Sequence, residues 1–308
     1  MSVSTAQWTQ VHYQKLKNMN FAIYDTGSTV RHIHSCMELG VVLSGQVKVS
    51  VSDTIYTAQA GKVLLFNSYE EHILEPLPQV QILFLQLAPD FGKVYFAKVS
   101  RLEFDAHPLD EEIAQQIKPL ILAAAETFFQ EPEAFGMECA SLVTRAMTIL
   151  LRNVPYRTSS DAEHMGKKKR VGRQQRIAAF VEEHIREKLT LAQLAKSEGI
   201  TTAYMSRIFA ELFETSFQDY LSHLRLQSAI PLLKKSDVYM VDICMECGFS
   251  DTRYLNAVCQ KEYGCTAAEL RRKMQDPNWQ DPHDKPLVED AIYDDAVSLQ
   301  ILQDFLNQ

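Results

Sequence analysis

From about His12 to Leu87, apolar and polar residues alternate in short runs broken by turn residues, as in Gln46-Val-Lys-Val-Ser-Val-Ser52 and Val80-Gln-Ile-Leu-Phe-Leu-Gln86. A period of two buries one face of a strand, and several short strands at this spacing predict a small barrel or sandwich. From Asp110 to Val154 the period lengthens. Ile113, Ile117 and Ile121, then Leu142, Met147, Leu150 and Leu151, recur at helical spacing on either side of Glu131-Pro132, which predicts two helices packed on the sheet. Their broad apolar faces suit either an intramolecular core or a dimer surface.

Residues 158–173 are polar and without period, so an interdomain linker is expected there. Beyond it, 174–272 reads as roughly seven helices containing two helix-turn-helix layouts. In the first, Thr190-Leu-Ala-Gln193 is a capping box that starts a helix ending near Gly199. Thr201 then caps a second helix whose Met205, Ile208, Phe209 and Leu212 face inward. Thr201, Ala203, Tyr204, Ser206 and Arg207 are left for close approach to DNA. In the second layout, Met240 to Cys247 forms a helix ended by Gly248, Phe249 inserts into the core, and Ser250 caps the next helix. Its candidate DNA contacts are Ser250, Thr252, Arg253 and Asn256. The helical stripe from Phe217 to Lys235 would join the two units over about 28 Å, close to the ~34 Å between successive major grooves on one face of a duplex. Arg225 on that stripe suits a structural ion pair at least as well as DNA.

Charge changes the picture only when divided along the chain. The whole carries −8, but residues 1–166 carry −6, 167–272 carry +4 and 273–308 carry −6, so only the predicted helical domain favours phosphates. A chain of 308 residues with 46% hydrophobic content can bury two ordinary cores. Six scattered cysteines and no secretory leader point to a reducing, cytoplasmic setting, and no stretch has the ~20 apolar residues of a membrane span. Cys244 and Cys247 form a C-x-x-C, but they sit on a helix-turn-helix helix with no second pair to complete a zinc site, so buried free thiols are expected.

The block 174–272 resembles the AraC-type DNA-binding domain over nearly all of its length. The residues that carry the resemblance include Leu194-Ala195, Ser206-Arg-Ile-Phe209, Ser216-Phe217, Tyr220-Leu221, Arg225-Leu226, Ala229, Asp242-Ile243, Gly248-Phe249, Asp251, Tyr254, Gly264 and Arg271. Departures from the family pattern are Glu214, Tyr239, Cys244, Leu255, Cys259 and Ala267, with Ala257 where some relatives carry a base-reading arginine. The resemblance implies a homodimeric regulator, an activator that contacts RNA polymerase, with phosphate contacts from both units and sharper base reading by the first.

In the N-terminal part, Arg31-His-Ile-His-Ser-Cys-Met-Glu38 would place His32, His34 and Glu38 on one face of an unbroken strand. Preceded by Gly27 and followed by Gly45, it resembles the first cupin motif. Gly61 to His72 resembles the second, with Asn67 and Ser68 in place of the usual prolines. In cupin enzymes this set of three imidazoles and a carboxylate binds a divalent metal. Three readings stand open for His32, His34, Glu38 and His72: contacts to a small organic effector such as a sugar, hydrogen-bonded scaffold, or a metal site. No cofactor is required by the first two.

The expected organisation is thus a two-domain α+β chain. A cupin-like barrel with packed helices occupies 1–157 and serves effector binding and dimerisation, a linker spans 158–173, and the double helix-turn-helix domain spans 174–272. An acidic extension follows over 273–308, helical from Leu287, which either packs on its own protein or shields the basic face. The partners expected are double-stranded DNA, a small-molecule effector, RNA polymerase and a second copy of the chain, with no membrane. Two alternatives are a cupin metalloenzyme fused to a DNA-binding module, and a regulator whose ligand is another protein.

Overall fold

The computed structural model describes residues 7–8, 13, 15–26, 30–235, 238–276, 279 and 291–307. Gly27 and the expected start of the tail helix at Leu287 lie outside the described residues. The chain divides into two units, one of residues 6–168 with 285–308, the other of residues 169–284.

The first unit holds β1 (Gln7–Trp8), β2 (Met19–Thr26), β3 (Val30–Ile33), β4 (Met37–Val51), β5 (Thr54–Gln59), β6 (Val63–Phe66) and β7 (His72–Leu87). Two long strands organise it. The first half of β4 pairs with β6 and its second half with β5, while β7 pairs with β3 at one end and β2 at the other and with β4 along both. The β4·β7 register shifts between Val42 and Ser44 and again between Gly45 and Val47. Such bulges bend a strand from one layer into the next. Gly45 has φ +75°, and a Cβ there would run into the carbonyl of Gln79, so only glycine fits the corner.

Apolar runs with no alternation now have their explanation. In Val63-Leu-Leu-Phe66 and Ile82-Leu-Phe-Leu85 every residue is buried, because one face meets the space between the layers (Leu64, Phe66, Ile82, Phe84) and the other meets the helices (Val63, Leu65, Leu83, Leu85). Those helices are α1 (Glu111–Gln130), capped by Asp110, and α2 (Phe135–Asn153), with the short pair β8 (Leu102–Phe104) and β9 (Tyr156–Thr158) beside them. The two-helix expectation over 110–154 agrees with this arrangement.

Two expectations are corrected. Where a linker is expected over 158–173, Asp161–Glu183 form one helix, α3, and the two units divide inside it between Lys168 and Lys169. The segment lacks an apolar stripe but is rich in helix formers, and Ser160 and Glu163 form a reciprocal cap, with Glu163 N donating to Ser160 Oγ (3.2 Å) and Ser160 N to the Glu163 carboxylate (2.6 Å). The helix is polar because so much of it faces solvent.

The tail also differs. Its described part is a two-residue strand, Ala291–Ile292, antiparallel to the edge of β2, followed by a helix over Asp295–Leu306 capped by Asp294. That helix belongs to the first unit and buries Ser298 and Leu302 against α1 and its neighbours. Lys15 bridges Asp295 (2.7 Å) and Glu131 (2.5 Å) beside it. Of the two readings of the tail, packing on its own protein is the one this describes.

In the second unit, the end of α3 is followed by α4 (Leu191–Ser197), α5 (Thr202–Phe213), α6 (Phe217–Leu233), α7 (Met240–Cys247), α8 (Thr252–Tyr263) and α9 (Ala267–Met274). Two apolar clusters fill it. One gathers Ile177, Leu194, Met205, Phe209 and Tyr220, the other Leu226, Ile243, Cys247, Phe249 and Leu255. The shared α6 contributes to both.

Candidate nucleic-acid interface and the buried histidine cluster

The capping box at Thr190 and Gln193 is present, Gly199 turns with φ +66°, and Thr201 accepts from Tyr204 N to start α5. Met205, Ile208 and Phe209 are buried, so the opposite face presents Thr201, Thr202, Ala203, Tyr204, Ser206, Arg207 and Ala210 to solvent. The Arg207 guanidinium lies over the Tyr204 ring at 5.0 Å and only 3.8 Å from Glu211. A guanidinium with 68% of its side chain exposed and only these loose partners keeps its donors for a ligand.

In the second pair, Gly248 ends α7 with φ +77° and Phe249 is buried, as expected. The cap of α8 is Asp251, accepting from Tyr254 N, rather than Ser250, which donates to the Asp251 carboxylate. Helix α8 exposes Arg253, Ala257 and Gln260, with Thr252 half-buried. Asn256 stands apart. Its Oδ1 accepts from Ala267 N at 2.9 Å, so its side chain is committed to the start of α9. Gln260 shares the exposed face of α8, since 253, 257 and 260 are spaced along one side of a helix.

The two pairs are held in one unit through the turn at Ile185–Glu187. Arg225, buried on α6, donates to the carbonyls of Ile185 (2.9 Å) and Glu187 (2.6 Å), so it is structural, through carbonyls rather than an ion pair. A Cβ on Gly248 would collide with the Ile185 carbonyl, so α7 packs directly against the same turn. The thiols of Cys244 and Cys247 are free and buried.

In the first unit the four cupin-like residues meet, but by a different route from the single strand expected. His32 lies on β3, which ends at Ile33; His34 lies in the turn before β4; Glu38 is on β4 and His72 opens β7. Pairing of His32 with His72 across β3·β7 and of Glu38 with Gln86 across β4·β7 brings them together. All four are buried, and one ligand atom from each lies within 4.8 Å of the others. Glu38 Oε2 sits 2.8 Å from His34 Nε2, 3.7 Å from His72 Nε2 and 4.0 Å from His32 Nε2.

The supporting contacts fix which atoms face inward. His34 Nδ1 is 2.9 Å from the Cys36 carbonyl and His72 Nδ1 is 3.1 Å from the Glu70 carbonyl, so each ring donates from Nδ1 and turns Nε2 to the centre. Gln86 donates to Glu38 Oε1 (2.7 Å) and is itself held by Asn20 (3.1 Å). Of these inward atoms His72 Nε2 has no hydrogen-bond partner, while His34 Nε2 and Glu38 Oε2 face each other at 2.8 Å. Buried acceptors aimed at one point favour a cation there. Burial works against an imidazolium at His34, but the Glu38 carboxylate and Cys36 outweigh it and hold its pKa well above the ordinary value. Burial likewise opposes the Glu38 charge, and His34 with His32 overcome this and hold its pKa well below. His72 is pushed well down by burial and by the neighbouring histidines.

A sheet-rich unit joined to a helical unit bearing two helix-turn-helix pairs defines a DNA-binding transcription regulator. The chain belongs to the AraC-type regulators: the AraC-like ligand binding domain matches residues 20–133 and a helix-turn-helix domain matches residues 194–273. It is similar to the HTH-type transcriptional activator RhaS of Klebsiella pneumoniae (strain 342), 22% identical over 253 residues that cover 78% of this chain and 87% of that protein. The HTH-type transcriptional activator RhaR of Yersinia pseudotuberculosis serotype O:1b (strain IP 31758) is 20% identical over 268 residues, 81% of this chain and 87% of the relative. Among solved structures, ToxT from Vibrio cholerae O395 is 11% identical with a TM-score of 0.35, covering 84% of this chain and 99% of that one. No helix among the described residues is long and apolar enough to cross a membrane.

Proposed function

We propose that this regulator reads DNA sequence mainly with the exposed face of α5 (Thr201, Ala203, Tyr204, Ser206, Arg207), and that Ser250, Thr252 and Arg253 at the start of α8 add contacts in the next major groove. The observation that carries the reading is the exposed guanidinium of Arg207, held only loosely by Glu211 and Tyr204, on a face with the short side chains Thr201, Ala203 and Ser206. The regulator works as a homodimer in the cytoplasm. It activates transcription, as the activators it resembles do by name, and does so through contact with RNA polymerase. A small organic effector bound by the N-terminal unit shifts the balance between arrangements of the DNA-binding units, by as much as its affinity differs between them. Selection from random oligonucleotides with the full chain tests the reading: a consensus of two half-sites is expected, and enrichment of no sequence overturns it.

The histidine cluster supports a second reading alongside the first. His32, His34, Glu38 and His72 would hold a first-row divalent metal, whose positive charge would balance the Glu38 carboxylate and the converging lone pairs. Gln86 and Asn20 orient the carboxylate, and the Cys36 and Glu70 carbonyls fix the ring tautomers. Elemental analysis after metal-supplemented expression checks this. Near-stoichiometric metal lost in Glu38→Gln is expected, and less than ~0.1 equivalent in the parent chain rejects it.

A further inference from the structure

The histidine cluster is anchored unevenly. His34, Glu38 and His72 each have one polar atom fastened to the protein: Nδ1 of His34 by the Cys36 carbonyl, Nδ1 of His72 by the Glu70 carbonyl, and Oε1 of Glu38 by Gln86. His32 has no such anchor. Its buried Nδ1 has no hydrogen-bond partner among the described residues, and its Nε2 stands farther from Glu38 Oε2, at 4.0 Å, than that of either other histidine. We propose that the cluster takes a divalent metal as a closed, four-coordinate clip, in which His34, Glu38 and His72 form the preset part and His32 closes it, fastening β3 to β4 and β7. The proposal rests on the metal reading given above and adds the coordination, the closing ligand and what the metal holds together.

A metal with three protein ligands and an open position supports catalysis, whereas four protein ligands complete the tetrahedral shell of a structural zinc-type site. Here four protein ligands converge and all are buried, His32 being 8% exposed and the other three no more than 2%. Phe66 stacks on the His72 ring at 3.8 Å and 4°, and the His32 ring stands edge-on to His72 at 4.0 Å. The His72 ring is thereby enclosed between an apolar ring and a fellow ligand. A shell of this kind leaves no position for a substrate, so its task is to hold strands together.

Strand β3 is the element in need of such a hold. It is four residues long and meets β7 through three pairs, the last being His32 with His72. Residues directly opposite on antiparallel strands have Cβ atoms about 4.5–5.5 Å apart, close enough for two imidazoles to share one ion. By contrast β4 and β7 pair along most of their length, so Glu38 and His72 keep their places independently of β3. Docking β3 buries His32 Nδ1 opposite His72 Nε2, both without hydrogen-bond partners, and unpaired buried groups weaken the packing that contains them. A metal bonded by both rings offsets this, and the unanchored His32 ring is the one left able to turn onto it.

The test uses the full chain, with zinc and cobalt(II) as probes and magnesium, which prefers an octahedron of oxygens, as the control. Binding is read by titration calorimetry on chelator-treated protein, coordination by the visible spectrum of the cobalt form, and fastening by hydrogen exchange at residues 30–33. His32→Phe keeps a ring on β3 and His32→Val keeps a strand former, and both remove the ligand; exchange within β4 and β7 reports that each is folded. Zinc and cobalt are expected to bind the parent stoichiometrically and magnesium not at all. The cobalt form should show the intense absorption of a tetrahedral site, and zinc should slow exchange at 30–33 by about tenfold or more. Each variant should bind zinc about tenfold or more weakly, since even outer contacts to metal ligands are worth that much, and zinc at saturation should leave its exchange at 30–33 unchanged.

Weak cobalt absorption of the six-coordinate kind overturns the closed shell. Undiminished zinc affinity in both variants removes His32 from it. No slowing at 30–33 in the parent, or equal slowing in the zinc-saturated variants, overturns the fastening of β3. A parent chain that binds neither zinc nor cobalt sinks the metal reading and the clip together, whereas binding without closure or fastening sinks the clip and leaves the metal reading standing.

Discussion

The hydroxyl of Tyr293 donates to the carboxylate of Asp25 at 2.7 Å, joining the last segment of the chain to a strand 268 positions earlier. Asp25 is buried and also receives Gln79 (2.6 Å) and Gln81 (3.2 Å). The tail therefore completes a polar network and covers an edge of the sheet, two functions a solvated acidic extension would not have.

Deleting 291–308 should lower the melting temperature of the first unit, because Leu302 and its neighbours leave apolar surface of α1 uncovered. Tyr293→Phe, which removes only the hydroxyl, should cost about 1 kcal/mol. DNA affinity per folded molecule and its salt slope should stay unchanged in both. A weaker salt dependence in the parent than in the truncated chain, seen in binding isotherms at several ionic strengths, would instead favour shielding of the basic face.

Arg207 and Asn256 should behave differently although both sit on recognition-type helices. Arg207→Ala should cost about 1–3 kcal/mol of binding and relax preference at one base position. Asn256→Ala removes the acceptor for Ala267 N, so it should lower stability by about 1 kcal/mol and weaken all DNA sequences alike. Binding to a set of single-base operator variants separates the two patterns.

The turn at Ile185–Glu187 should prove sensitive from both sides. Arg225→Met removes the donor to two part-buried carbonyls, of which Glu187 keeps a bond from Leu189 N (2.8 Å), and should destabilise the second unit by about 1–2 kcal/mol. Gly248→Ala meets both an unfavourable φ and the Ile185 carbonyl, and should cost more than about 1 kcal/mol. Denaturant titration of each variant checks the values, and a neutral Gly248→Ala would show that the turn yields.

Acid should weaken one contact between α3 and α4. Hydrogen bonds from Arg176 (2.8 Å each) and the charge of Arg173 outweigh the burial of Glu198 and hold its carboxyl below the ordinary value of 4.5. A depressed folded pKa means the ionised carboxylate is favoured by folding. Its contribution is therefore whole above the unfolded pKa and fades as pH falls through the folded one. With Arg176 well exposed, the pair is worth under about 1 kcal/mol. Glu198→Gln should be less stable than the parent at neutral pH and equal to it in strong acid; a gap of the same size at both would assign the loss to packing.

Much of the second unit was legible because its signals are local. Thr190 with Gln193, Thr201, Gly248 and the apolar stripe of α5 each act within one or two turns of chain, and each occurs where expected. The unit boundary at Lys168/Lys169 falls inside the expected linker 158–173, but its polar, aperiodic sequence concealed a helix. The Ser160-x-x-Glu163 cap was visible, but a helix with much of its surface in solvent lacks the stripe that announces a helix. Asn256 shows a different limit: helical phase places it near the outward face, and only the approach of α9 gives its oxygen a partner.

The sequence by itself determined most of the strands and helices, α3 and the tail excepted, where the charge lies, and that three histidines and a glutamate of a cupin-like pattern stand in the N-terminal unit. Those follow from side-chain period and capping, which need no distant residue. Only the tertiary structure decided that the four meet through β3, a turn, β4 and β7 rather than along one strand, that Glu103 meets both Arg157 and Lys167, and that the tail returns to β2. Each of these depends on strand register and on contacts between residues far apart in the chain, which no local pattern encodes.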